Sequence, residues 1–139
     1  MTFTWDDKTV GWMLEAAEYT GFYRNMAALL LPHIQKRGTL CDFGCGMALT
    51  DMALAPALEA VTCVDQSAPV LAFAQTEARR RGIDNLSCLC ANGPEVTGHW
   101  DTVMATVQET GREDYPYYTP KTRSFTLFDI PAAENRGRL

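Results

Sequence analysis

The feature that most constrains the fold is a glycine turn placed between an extended run and a helical run. Residues 39–43 read Thr-Leu-Cys-Asp-Phe, a short apolar stretch typical of a buried parallel strand. Gly44 and Gly46 follow, and residues 47–58 then carry a helical pattern. Glycines here let the main chain bend sharply and bring its N–H groups close to a ligand, where a side chain would collide. Because a Gly-x-Gly pair can also be a simple tight turn, the pair alone is weak evidence of a site.

An acid at the end of the next predicted strand strengthens the interpretation. Residues 60–65, Ala-Val-Thr-Cys-Val-Asp, are rich in β-branched side chains and end on Asp65. Asp65 follows Gly46 by 19 residues, close to the roughly 20 expected of an acid that accepts hydrogen bonds from ribose hydroxyls. It could instead cap the following helix, but Ser67 already supplies a good N-cap. The spacing therefore predicts a nucleoside site.

Strands and helices alternate along the rest of the chain, which predicts one Rossmann-like α/β domain with a doubly wound, mostly parallel sheet of four to five strands. We divide residues 1–139 into N-terminal helices (1–37), a cofactor-binding core (38–106) and an irregular C-terminal part (107–139). The N-terminal helices should break at Gly11, Gly21 and Pro32. Their helical spacing places Trp12, Ala16, Tyr19, Tyr23 and Ala27 on one face. The remaining predicted elements are a helix over 68–81 and strands over 85–90, 100–105 and 124–130.

Composition narrows the class of protein and of partner. The chain is 47% hydrophobic and 21% charged, as expected of a globular domain. Its formal net charge of -5 opposes loose binding to nucleic acid or to anionic lipid. The first residues lack the basic and apolar regions of a secretory signal, and no apolar run approaches the length of a membrane span. We therefore expect a cytoplasmic protein that does not bind membranes.

The five cysteines are interpreted as small core residues. Cys41, Cys45, Cys63, Cys88 and Cys90 all fall in predicted strands or in the turn after one. Cys41 and Cys45 are four residues apart, but neither a Cys-x-x-Cys pair nor a histidine accompanies them. A metal site is accordingly the weaker interpretation.

The residues around the glycine turn favour one class of nucleoside ligand. A dinucleotide such as NAD would require Gly or Ala three residues after the second glycine, where this chain has Leu49. Asp42 would also place a negative charge near a pyrophosphate, whereas it suits a ligand with a cationic amino group. S-adenosylmethionine (SAM) meets both conditions. An NAD-linked oxidoreductase stays open as an alternative.

Four segments together resemble the class I SAM-dependent methyltransferase family, over about residues 10–106. Residues 40–46 resemble its first motif, residues 61–67 its second, residues 90–93 its third and residues 100–105 its fourth. In the third motif Asn92 stands where an acid commonly accepts a hydrogen bond from adenine, and its amide oxygen is still an acceptor. The resemblance implies SAM as cofactor and the following cofactor-binding residues: Asp42, Gly44, Cys45, Gly46, Asp65, Gln66, Ala91 and Asn92.

The resemblance has limits that bear on activity and partners. The family fold normally has seven strands, and this chain offers at most five, so we expect a short form with an exposed sheet edge that could pair two copies as a homodimer. The acceptor should be a small molecule, because two signatures are missing after the fourth strand: the Asn- or Asp-Pro-Pro-Tyr run of adenine- and glutamine-methylating relatives, and the Pro-Cys pair of cytosine-methylating ones. Catalytic residues stay unassigned. A SAM-binding module without activity is the alternative. Tyrosines that could shape an acceptor site, though ordinary packing is the commoner role, are Tyr19, Tyr23, Tyr115, Tyr117 and Tyr118.

Overall fold

The fold is built on a five-stranded sheet whose first two strands have the bounds that the sequence predicts. The computed structural model describes residues 6–92, 95–108 and 123–129, with side chains for 6–92 and 95–105. The strands are β1 (Thr39–Phe43), β2 (Ala60–Asp65), β3 (Leu86–Cys90), β4 (Thr102–Gln108) and β5 (Arg123–Asp129). Their order is β3-β2-β1-β4-β5. The first four are parallel, which confirms the predicted Rossmann-like α/β class, and β5 runs antiparallel to β4.

The helices are α1 (Asp7–Thr20), α2 (Phe22–Leu30), α3 (Leu49–Leu54) and α4 (Ala68–Arg80). Short 3₁₀ turns follow α2 and α3, where Pro32 and Pro56 prevent the helices from continuing. As predicted, Gly21 separates the first two helices: its φ is 63° and its N–H donates to the Ala17 carbonyl oxygen at 2.9 Å. The break predicted at Gly11 is wrong, since α1 continues through it.

The buried face of α1 also differs from the prediction. Trp12 is 60% exposed and Tyr19 is 94% exposed, whereas Val10 is buried and Met13 and Leu14 pack against the core. The aliphatic side chains take the inner face because they fill the space over the sheet. Trp12 instead lies in solvent beneath the ammonium group of Lys8, 4.7 Å from the centre of its ring.

The two faces of the sheet are covered unequally. All four helices contribute to one hydrophobic core that packs on Leu40, Val61 and Met104. On the opposite face, the described residues form a smaller core, in which Cys41 and Val64 pack against Val96 and three half-buried residues surround them. Residues 95–101, between β3 and β4, therefore cover that face. In the described ranges no helix is long and apolar enough to cross a bilayer.

Two local contacts fix the ends of the strands that lead to the site. At the start of β1, the Thr39 N–H donates to Asp101 Oδ2 at 2.9 Å, which joins β1 to the residue just before β4. Trp100 turns across the opposite face and donates from Nε1 to Thr62 Oγ1 at 3.3 Å. Trp100 is thus not part of β4, which begins two residues later than predicted.

Candidate functional site

The glycine turn follows the carboxyl end of β1 and is hydrogen-bonded to the end of β2. Gly44 and Gly46 have φ of 74° and 57°, a conformation that costs other residues about 1–2 kcal/mol. The N–H groups of Gly44 and Cys45 both donate to the Val64 carbonyl oxygen, at 2.8 and 3.0 Å. These donors are therefore used within the protein. What the turn offers a ligand is space, because a Cβ built on Gly44 would meet nothing within 4 Å.

Ala48, just after the turn, is strained in the same way. Its φ is 59°, which is uncommon for a residue with a side chain. Ala48 is buried and its N–H donates to the Cys45 carbonyl oxygen at 3.0 Å. Such strain clusters at ligand-binding sites, where the surrounding structure maintains it. The sequence pattern offered no signal for this position.

Asp65, the last residue of β2, is hydrogen-bonded to the glycine turn. Its Oδ2 accepts from the Gly46 N–H at 3.0 Å and its Oδ1 from the Ser67 N–H at 2.9 Å. Ser67 caps α4, as predicted, by accepting from the Val70 N–H at 3.5 Å. A carboxylate has about four lone-pair sites, so these two bonds orient Asp65 and leave it able to accept more.

A cleft of about 210 Å³ opens where β1, β2 and β3 end. Five of the eight predicted cofactor-binding residues line it: Gly44, Asp65, Gln66, Ala91 and Asn92. Phe43 and Val64 also line it and were not singled out from the sequence. Both are strand-end residues next to the predicted ones, and that position is the signal that could have identified them.

The other three predicted residues, Asp42, Cys45 and Gly46, do not line the cleft. Cys45 is half-buried and packs against the main core, and Gly46 holds Asp65 through its N–H. Asp42 is buried beneath the turn. These residues support the cleft from behind.

Asp42 forms a buried carboxyl pair with Asp51 of α3. Both side chains are buried, and one oxygen of Asp42 and both oxygens of Asp51 have no hydrogen-bond donor. Burial, followed by the charge of Asp51, raises the pKa of Asp42 well above its usual value. Burial raises the pKa of Asp51 to about 6. Above about pH 6 the two carboxyl groups therefore hold one proton, and one negative charge, between them.

These residues fit a nucleoside with a cationic tail. Above the pKa of Asp51 the buried Asp42–Asp51 pair carries one negative charge behind the turn, and the space at Gly44 admits a ligand close to the main chain. At the β3 side, Asn92 Nδ2 donates to Glu95 Oε1 at 3.5 Å, which leaves the Asn92 amide oxygen as an acceptor. Phe43, Val64 and Ala91 give the cleft apolar walls.

Tyrosines proposed for an acceptor site are not brought to this cleft. Tyr19 is exposed on α1, and Tyr23 lines a separate cavity of about 420 Å³ among the helices. The remaining three, Tyr115, Tyr117 and Tyr118, lie outside the described residues. The cysteine prediction holds for Cys41 and Cys63, which are buried, but is wrong for Cys90, which is exposed at the end of the edge strand β3.

Several solved structures with the same fold are SAM-dependent methyltransferases, and one is a [4+2]-cyclase. A putative SAM-dependent methyltransferase from Methanococcus maripaludis has a TM-score of 0.61 at 14% identity, over 88% of this chain and 58% of that one. Magnesium protoporphyrin IX methyltransferase from Synechocystis, solved with bound SAM, has a TM-score of 0.52 at 17% identity, over 79% of this chain and 80% of that one. Coclaurine N-methyltransferase has a TM-score of 0.54 at 18% identity, over 60% of this chain and 34% of that one.

The similarity establishes the fold, and the chain has the Rossmann-like architecture of these enzymes. Most of the similar proteins are longer: the chain spans 52% of a Bacillus protein, 56% of the Synechocystis enzyme in its structure with bound SAH and 49% of a Clostridium acetobutylicum methyltransferase. No protein-family model matches the sequence, and no curated protein matches it.

Proposed function

We propose that this chain binds SAM in the cleft at the ends of β1, β2 and β3, and transfers its methyl group to a small-molecule acceptor. The observation that carries the proposal is the joint placement of Gly44, Asp65 and Asn92 around one cleft. Each was selected from sequence for a different part of the same cofactor. The solved structures of the same fold support it, since two of them were crystallised with SAM or SAH.

Each part of the cleft would hold a different part of the cofactor. Asp65, already oriented by Gly46 and Ser67, would accept from the ribose hydroxyls. The Asn92 amide oxygen would accept from the adenine amino group. The single negative charge that Asp42 and Asp51 hold between them at neutral pH would attract the cationic amino group of the methionine portion through the turn.

When bound, SAM supplies an activated methyl group on a sulfonium centre, so the chain need not provide strong acid or base chemistry. The role of the protein is to align the acceptor and to keep water out. Phe43, Val64 and Ala91 would exclude water from the cleft through their apolar walls. No catalytic side chain is assigned.

Two matched glycine variants test the site. Gly44 and Gly82 have nearly equal φ, 74° and 72°, and a Cβ on either meets nothing within 4 Å. Alanine at either position should therefore lower the free energy of unfolding by a similar amount, about 1–2 kcal/mol. Only Gly44 lines the cleft, so only Gly44→Ala should weaken SAM binding measured by titration calorimetry, by tenfold or more.

The same titrations compare SAM with its demethylated product and with NAD. A ligand at 100 times its dissociation constant stabilises the protein by about 2.7 kcal/mol, which a thermal shift resolves easily. Stabilisation by NAD alone would reject the proposed cofactor. Equal SAM affinity in the wild type and in Gly44→Ala would reject the proposed place of binding.

A second candidate function is a SAM-binding module that has no activity alone. The observation that favours it is length, because the chain spans about half of several solved methyltransferases of this fold. Both candidates predict SAM binding, so binding cannot separate them. Incubation with methyl-labelled SAM and a panel of small-molecule acceptors does, since label transfer to any acceptor requires the enzyme and its absence from all of them favours the module.

A further inference from the structure

Three cysteines lie close together at and beneath the glycine turn, and none of them lines the proposed cofactor cleft. Cys63 on β2 is fully buried, and Cys45 and Cys88 pack half-buried against the same core. The neighbouring thiols of Cys45 and Cys88, together with burial, raise the pKa of the Cys63 thiol well above its usual value. The described residues contain no group of three His, Cys, Asp or Glu that could hold a metal ion, so the chemistry open to this cluster is that of thiols.

The register of the sheet places two of these thiols side by side. Cys63 and Cys88 are directly paired across the parallel strands β2 and β3. Neighbouring strands lie about 4.8 Å apart, and disulfides span Cα separations of about 4.4–6.8 Å. Paired residues of parallel strands direct their side chains to the same face, here towards the helices. The Cα separation expected for these two cysteines therefore lies within the range that disulfides span.

We infer that Cys63 and Cys88 form a peroxide-reactive dithiol, which hydrogen peroxide or an organic hydroperoxide converts to a disulfide between β2 and β3. Cys88 is the residue that reacts first, because it is partly accessible whereas Cys63 is fully buried. A hydrogen bond from the Cys63 thiol also lowers the pKa of Cys88, which increases its thiolate fraction.

The reaction balances without a further reagent. The Cys88 thiolate attacks one peroxide oxygen, an S–O bond forms, the O–O bond breaks, and the departing hydroxide takes a proton to become water. The Cys63 sulfur then attacks the Cys88 sulfenic acid, an S–S bond forms, the S–O bond breaks, and the thiol proton leaves with the hydroxyl as a second water. Two thiols are oxidised and one peroxide is reduced.

Such a disulfide would be easily reduced again. Side chains on paired parallel strands stand about as far apart as the strands, whereas disulfides prefer a Cβ separation of about 3.8 Å. Strained disulfides have higher potentials and are the labile ones. The site is therefore suited to reversible oxidation.

The test uses the full chain treated with hydrogen peroxide, followed by thiol titration in denaturant and by intact mass and peptide mapping. We expect titratable thiols to fall from five to three, with the loss of two hydrogen atoms from the mass, a crosslink between the Cys63 and Cys88 peptides, and full recovery with dithiothreitol. None of these readouts depends on cofactor binding, so they stand or fall separately from the proposed function.

Matched variants on the same strand localise the reaction. Cys88→Ala should abolish the crosslink, with Cys88→Ser as the second variant if melting shows that alanine disturbs the fold. Cys90→Ala removes an exposed thiol two residues away and should leave the crosslink intact. Five thiols after treatment, a crosslink that joins Cys45 to Cys63, or oxidation confined to Cys90 would each overturn the inference.

Discussion

Replacing Asp51 by asparagine should stabilise this protein at neutral pH and remove part of its pH dependence. Asp51 is fully buried on α3, and neither of its oxygens has a donor. An uncharged amide of the same size removes the cost of burying a negative charge at this position beside Asp42. Its NH₂ group can also donate to the unpartnered oxygen of Asp42.

The magnitude follows from the pKa of Asp51. Burial raises it from 3.8 to about 6 in the folded protein. Between those pH values the folded state holds a proton that the unfolded state has lost, so the free energy of unfolding falls as pH rises. A shift of about two units, at 1.36 kcal/mol each, gives a loss of about 3 kcal/mol. This stability is fully present below pH 3.8 and is lost above pH 6.

Urea denaturation of the wild type and of Asp51→Asn at several pH values between 4 and 8 measures the effect. We expect the variant to be more stable by about 2–3 kcal/mol at pH 8, and the difference between the two proteins to shrink as pH falls. The control is Asp84→Asn, which replaces an exposed acid. It should change neither the free energy of unfolding at pH 8 nor its dependence on pH. A variant less stable than the wild type at pH 8, or a difference that is constant over pH, would refute the reasoning.

Two further predictions concern contacts that hold the sheet. Asp101→Ala should lower the free energy of unfolding by about 1–3 kcal/mol, because it removes the acceptor of the Thr39 N–H and hydroxyl. Lys36→Met removes only the ion-pair partner of Asp101. Because the Lys36 side chain is 74% accessible, this change should lower the free energy of unfolding clearly less than Asp101→Ala in the same denaturation assay. Asn85→Ala should cost about 1–3 kcal/mol, because Asn85 Nδ2 donates to the carbonyl oxygens of Ala55 and Leu58. Asp84→Ala next to it should stay within about 0.5 kcal/mol, and equal losses for the two would contradict the role of Asn85.

The strands that carry the site could be predicted at their observed bounds because local signals agree there. β1 combines an apolar run with the glycine turn directly after it, and β2 combines an apolar run with Ser67, the cap of the helix that follows. β4 has a less clear start, because Trp100 extends the apolar run and yet folds across the sheet to reach Thr62. Trp100 and Thr62 are 38 residues apart in the sequence, so no local pattern encodes their contact.

Burial was harder to predict than secondary structure. Two interleaved stripes run along α1, one aromatic and one aliphatic, and the sequence does not say which of them faces the sheet. Cys90 was expected in the core because it ends a predicted strand. It is exposed because β3 is the edge strand, and strand order depends on the whole topology.

The family resemblance supplied roles for individual residues, whereas the contacts between distant residues were missed. Asp65 and Asn92 both line the cleft, and their roles towards a cofactor stay predictions. The Asp42–Asp51 pair was missed, because eight residues separate the two acids and the turn between them has no regular period. The strain at Ala48 was missed for a similar reason, since alanine gives no sign of a positive φ.

The strand order of the sheet gives the cleft one rigid wall and one more flexible wall. The Gly44 side continues from β1, a central strand with neighbours on both sides and a buried middle. The Asn92 side continues from β3, an edge strand that is mostly half-buried or exposed and has Leu89 open to water. Amide hydrogens on such edge strands exchange with solvent through small local openings, whereas those of a central strand exchange mainly through global unfolding. A ligand that bridges the two walls would therefore slow amide exchange mainly on the β3 side.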